Sequence, residues 1–163
     1  MPNKYGLTGT VTSYTGTKDQ LWQIKAGAGT PLWLDYISCH GSSDTSDAME
    51  LILARVSAAA SSMTAFTPVL LEETVTADKV ASAVGGTGST AVYASGAGQT
   101  DGTKGDILGR WYVSVQAGGG LDIWFPPMHI VVKGATSGIL GLFVNNAITS
   151  SDLVFVAHFT EIS

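Results

Sequence analysis

An all-β fold, a sandwich or barrel with little helix, is what this sequence predicts, and three observations predict it. Between residues 110 and 162, five short apolar runs follow one another about every ten residues, split by Gly, Pro, Asn and Ser. That is the spacing of short strands joined by turns. Trp111, Val113 and Val115 alternate with Tyr112, Ser114 and Gln116, and Leu121, Ile123 and Phe125 alternate with Asp122 and Trp124. This period of two sends one set of side chains into a core and the other outward. The outward set is itself often apolar, which implies that something else covers it.

The elements follow in order. Residues 1–6 read as an N-terminal arm, and 7–14 as a Thr-rich strand whose Thr and Val suit a half-buried pleat. Residues 16–19 make a turn, Leu21, Trp22 and Ile24 a second strand, 25–30 a loop with two glycines, and 32–39 a third strand. The polar cluster 40–47 reads as an exposed loop. Residues 48–60 fit two patterns. Asp47 with Glu50 three residues on would cap a helix, yet Met49, Leu51, Leu53 and Arg55 alternate as in a strand, and the β-rich surroundings favour the strand. Residues 57–62 are a small-residue turn, 63–71 an extended run broken by Pro68, and 70–79 room for a short helical turn. Residues 79–106, rich in Gly, Ser, Thr and Ala, read as a long loop insertion with only Val92 and Tyr93 resembling strand. The runs at 111–116, 121–125, 128–133, 139–144 and 153–162 complete one sandwich domain over 7–163. No fixed-period repeat indicates a solenoid or propeller.

Composition narrows the function. A chain of 163 residues buries enough surface for a real core. Charged residues are 13%, about half the usual share, and the mean hydropathy is positive. Few charges keep copies apart, which points to a homo-oligomer. The net charge is −5, and Arg55, Arg110 and six scattered lysines form no basic stripe. Neither a nucleic-acid nor an anionic membrane partner is expected. Cys39 is alone and the opening residues carry no leader-like apolar stretch, so assembly in a cytoplasm is the expectation.

No reactive constellation emerges, so the expectation is no enzyme and no cofactor or metal. Gly85, Gly86 and Gly88 lack the Lys-Ser/Thr order of a phosphate loop. Cys39 and His40 are adjacent and on a strand face opposite ways, while His129 and His158 sit within apolar runs, where they could meet across a sheet. Glu72 and Glu73 point apart, and Asp101 and Asp106 do not match an EF-hand loop. No nucleophile elbow is present. Trp124 falls opposite Ile123 and Phe125 in the alternation and stands beside Pro126 and Pro127, which end a strand or mark an edge. An outward Trp there is a contact anchor.

Three blocks carry a resemblance. Asp47, Ala48, Met49 and Glu50 run on to Ala54, Arg55, Ser57, Ala58 and Ala59. Trp111, Tyr112 and Val113 precede Gly119, Gly120, Leu121 and Pro126. The ending is Val154, Phe155, Val156, Ala157, His158 and Phe159, closed by Glu161. Together these resemble small head decoration (cement) proteins of tailed bacteriophages. The resemblance implies a jelly-roll-like β-sandwich, a homotrimer, and a virion structural role on the capsid exterior, bridging subunits of the major capsid protein. On that expectation Trp124, Phe125 and Met128 lie at a subunit contact. Residues 1–6, with Pro2, Lys4 and Tyr5, and residues 79–106 reach the shell. A carbohydrate- or receptor-binding virion module and a jelly-roll shell protein are the alternatives.

Overall fold

The structure, a computed structural model, describes residues 3–14, 20–27, 31–44, 47–66, 69–71, 90–93, 99–125, 130–132, 138–148 and 150–161. Its strands are β1 (Asn3–Tyr14), β2 (Gln20–Lys25), β3 (Leu32–Gly41), β4 (Ala48–Ala58), β5 (Thr64–Ala65), β6 (Val69–Leu70), β7 (Thr90–Tyr93), β8 (Thr103–Ser114), β9 (Gly120–Trp124), β10 (Ile130–Val132), β11 (Ile139–Val144) and β12 (Ser151–Glu161). No helix occurs among the described residues.

The pairing is nested from the outside in. β1 pairs with β12, β2 with β11, β3 with β9 and β10, and β4 with β8, all antiparallel. The chain is thus one long double ribbon folded back on itself. Rolling that ribbon brings β12 against β3 and β11 against β4. Two sheets result, β10-β3-β12-β1-β6 with β9 also on β3, and β5-β7-β2-β11-β4-β8. This is the β-sandwich that the sequence led us to expect, with its strands in jelly-roll order. β5, β6 and β7 lie between β4 and β8, where the ribbon doubles back.

Alternation builds the core. Leu7 and Val11 of β1, Leu153, Phe155, Ala157 and Phe159 of β12, and Leu34, Ile37 and Cys39 of β3 face the second sheet. That sheet returns Trp22, Ile24, Leu51, Leu53, Leu140 and Leu142. Thr8, Thr10 and Thr12 take the solvent side of β1. Val113 and Val115 are buried and Trp111 packs against the core, as their spacing predicted.

On the second sheet the outward side chains of β11 are covered from within the chain. Ile139 and Phe143 are 5% and 0% exposed and form a second apolar cluster with Ile52, Ala54 and Val56. Their cover includes the chain's own Gly102, beside Val56, and Lys104. Lys104 Nζ stands 5.3 Å over the Phe143 ring. The buried Gln20 pins Asp101 and Gly102: its Oε1 accepts the Gly102 N–H at 2.7 Å, and its backbone N–H donates to Asp101 Oδ1 at 3.2 Å. For β11, therefore, the expectation that other molecules cover the outward apolar side chains is corrected.

Other expectations shift too. Residues 3–6 are not an arm but the start of β1, with Asn3 opposite Glu161. Tyr5 is 3% exposed and stacks on Phe159 with ring centroids 5.3 Å apart. Part of the expected 79–106 loop is strand, 90–93 in β7 and 103–106 in β8; 79–89 and 94–98 lie outside the described residues, as does most of the expected helical turn at 70–79. His40 and Gly41 belong to β3 instead of the following loop. Residues 48–58 form β4, paired along its two edges with β11 and β8, and Met49–Ala54 are buried on both faces.

Cys39 is enclosed, opposite Phe155 and Leu121 in the ladder. Desolvation pushes its thiol up to about 12. The native protein is expected to stay unlabelled by a thiol reagent at pH 8 and to react fully once denatured; an absorbance assay for the released chromophore checks this.

Candidate functional site

The outer face of the first sheet carries the feature with most chemical content. The ladder places Trp124 of β9 opposite Tyr36, Tyr36 opposite His158 of β12, and His158 opposite Gly6 of β1, which stands opposite Val69 of β6. One row thus crosses the sheet. Three of its members are rings in contact: Trp124 and Tyr36 at 4.4 Å, Tyr36 and His158 at 5.0 Å, Trp124 and His158 at 6.0 Å. Trp124 is 64% exposed. Val69, Leu71, Val131 and Val154 are further exposed apolar residues of this sheet and its margin.

A polar arm flanks the row. Asp122, two residues before Trp124 on the same face, accepts the Tyr36 hydroxyl hydrogen through Oδ1, and His40 Nε2 lies 3.2 Å from its Oδ2. Gly120 makes this possible: a Cβ there would lie 2.1 Å from His40 Nδ1, so the imidazole can lie across β9 only because that position is bare. The register slips between His158 and Phe159, leaving Asp35 unopposed between Leu34 and Tyr36. Asp35 Oδ2 accepts the Thr160 hydroxyl hydrogen, and its backbone carbonyl accepts the Phe125 N–H at 2.9 Å. Such bulges re-aim side chains.

Electrostatics fix the protonation roles. The Tyr36 hydrogen bond, then His40, holds the Asp122 carboxyl below the usual carboxylate range. The same bond raises the Tyr36 phenol, so it stays a donor. Burial lowers His158, partly opposed by Asp35, so its ring is neutral at neutral pH. The arrangement offers π faces and an ionised carboxylate with acceptor capacity to spare, the phenol hydrogen being already donated to it: chemistry suited to holding a ligand. Among the described residues, Asp122 and His40 make a pair, and no group of three possible metal ligands occurs.

Of the expected contact residues, Trp124 faces out as its alternation implied. Phe125 is half-buried and packs against the core. Lys4 is exposed on β1. Tyr5 is core, which corrects its assignment to a shell contact. Pro2 and Met128 lie outside the described residues, as does His129, whose expected meeting with His158 is therefore not placed. Tyr36, His40, Asp122 and Asp35 were not anticipated. Period two put Asp122 beside Trp124 and Tyr36 beside His40, but nothing local joins the two strands. Cys39 and His40 do face opposite ways, inward and outward.

A second polar cluster lies on the other sheet. Glu50 accepts from Asn145 Nδ2 at 2.7 Å, from the Tyr112 hydroxyl at 3.1 Å and from Arg110 Nη1 at 3.1 Å. Its N–H donates to Asn146 Oδ1 at 2.7 Å. This cluster clamps β4 to β8 and to the end of β11. The Asn145 hydrogen bond, then Tyr112 and Arg110, lowers the Glu50 carboxyl. Its stabilisation is therefore present above the ordinary glutamate range and is lost as pH falls through the lowered value. A Glu50→Gln variant is expected to lose less melting temperature than the unmodified protein between pH 6 and pH 3, measured by thermal denaturation.

Comparison of the chain with family models, curated proteins and solved structures found no match.

Proposed function

We propose that this protein is a virion structural protein, a homotrimeric decoration or cement protein that sits on the exterior of an icosahedral phage head and bridges subunits of the major capsid protein. The observation that carries the proposal is the exposed Trp124 on a sheet whose opposite face has already closed the core. Trp124, Val131 and Val154 are not needed to complete the sandwich, and exposed apolar groups of this kind mark contact surfaces. The sequence blocks around Asp47, Trp111 and Val154 support the same reading. So does the jelly roll, although this fold serves shells and lectins alike and does not choose between them. The mechanism is multivalency: three copies of a modest contact, held at fixed spacing, combine through effective concentration. Co-sedimentation with empty capsids tests it. The purified protein is expected to pellet with capsids and raise their melting temperature, and Trp124→Ala is expected to weaken both effects. Capsids that leave the unmodified protein in the supernatant would overturn the proposal.

A further inference from the structure

We infer that the Trp124–Asp122 corner of the first sheet is a receptor for a guanidinium group, an arginine side chain of the surface the protein docks on. The inference rests on the decoration reading only in naming whose arginine it is.

Charge is the deciding observation. Three of the rows that register defines across this face surround the corner: Trp124, Tyr36, His158, Gly6, Val69; then Asp122, Ser38, Val156, Thr8; then Gly120, His40, Val154, Thr10. They hold three aromatic rings in contact, one carboxylate, a second imidazole, and no lysine or arginine. Asp35 adds a carboxylate at the bulge, and the next row, Val131, Trp33, Thr160 and Lys4, holds a lysine on β1, three strands from Trp124 on β9. Asp122 is thus held by a phenol and an imidazole, neither carrying the permanent charge of a lysine or arginine. Each of its oxygens keeps acceptor capacity after those bonds.

A π-rich corner with an ionised carboxylate two residues from an exposed Trp is complementary to a cation. A guanidinium fits better than an ammonium. Its plane stacks on the indole while its forked N–H groups reach the carboxylate, and it sheds water more readily. A sugar would also stack on Trp124, but its hydroxyls leave the carboxylate's charge unmatched.

The purified protein is titrated with a Gly-Arg-Gly peptide while the Trp124 indole N–H resonance is followed by NMR, that signal being assigned by its loss in Trp124→Leu. Gly-Lys-Gly, the citrulline analogue and a chito-oligosaccharide serve as comparisons. Saturable shifts with the arginine peptide are expected, about fivefold tighter than with citrulline, weakened by salt and by Asp122→Asn, with melting temperature confirming that both variants fold. Equal binding of citrulline, or a response to the oligosaccharide alone, would overturn the inference, the latter making the corner a glycan site. Capsid co-sedimentation separates the two claims. Arginine binding without capsid binding leaves the site standing and removes the decoration reading. Capsid binding unchanged by Asp122→Asn, with no peptide response, removes the site alone.

Discussion

Replacing Phe155 by alanine is expected to cost about 3–5 kcal/mol of folding stability, a large share of what a domain of this size possesses. Phe155 sits mid-strand in β12, opposite Gly9 on one side and Cys39 on the other. Its ring occupies the space that a side chain on Gly9 would need. A Cβ at Gly9 would lie 2.5 Å from Phe155 Cε2 and 3.0 Å from Phe66 Cε1. Phe66 meets the same ring edge-on at 5.9 Å. Truncation removes the wedge between β1, β3 and the Phe66 segment and leaves a dry cavity. The pair is also coupled in sign. Gly9→Ala alone is expected to destabilise by about 1–3 kcal/mol through overpacking, yet to be neutral or restorative beside Phe155→Ala, where its methyl fills part of the void. A denaturation double-mutant cycle reads this coupling. Additive losses would mean that the ring and Gly9 do not share that space.

Gly41→Ala is expected to have the second largest effect, at or above the upper end of about 1–3 kcal/mol. A Cβ at Gly41 would lie 2.3 Å from the Val115 carbonyl oxygen, a backbone atom that cannot swing aside. Here the exits of β3 and β8 cross. Ser43 N–H donates to Val115 O at 3.0 Å, and Ala117 N–H donates to Ser43 O at 2.9 Å. The chain then turns through Gly118, whose φ of +85° suits glycine, and enters β9 beneath His40. Pushing Val115 away therefore disturbs both the core and the strand that carries Asp122 and Trp124. A fall in melting temperature of about 2–4 °C per kcal/mol is expected, together with weaker binding of the Gly-Arg-Gly peptide. An unchanged melting temperature would show that the crossing relaxes freely.

What was legible in the chain was whatever is local. Alternation in Trp111–Val115 and Leu121–Phe125 reports burial directly, so the strands, their faces and the outward Trp124 could be read. Partnership could not. Residues 3–6 look like an arm because Tyr5 alone among them is apolar and no alternation shows over so short a stretch, and their place in the sheet comes from a ladder with residues 158–161 that exists only once the ribbon closes. Similarly, Ile139 and Phe143 look like a surface awaiting a subunit because Gln20 and Lys104, which help cover them, are far away in sequence. The candidate site failed to show for the same reason. Tyr36, Asp122 and His158 come from β3, β9 and β12, and each alone is an unremarkable strand residue. Glu50 suggested a helix cap by spacing, and its actual partners, Arg110, Tyr112 and Asn145, lie at least sixty positions on.

The neighbouring placement of the first and last strands has a mechanical consequence. Asn3 and Glu161 stand side by side in an antiparallel ladder whose hydrogen bonds run perpendicular to the strands. Tension drawn through both of these positions would load the bonds one at a time, from Asn3 toward Val11, and peel the ribbon open like a zipper. The ladder resists force best when it is pulled from opposite ends of the two strands, where every rung shares the load together.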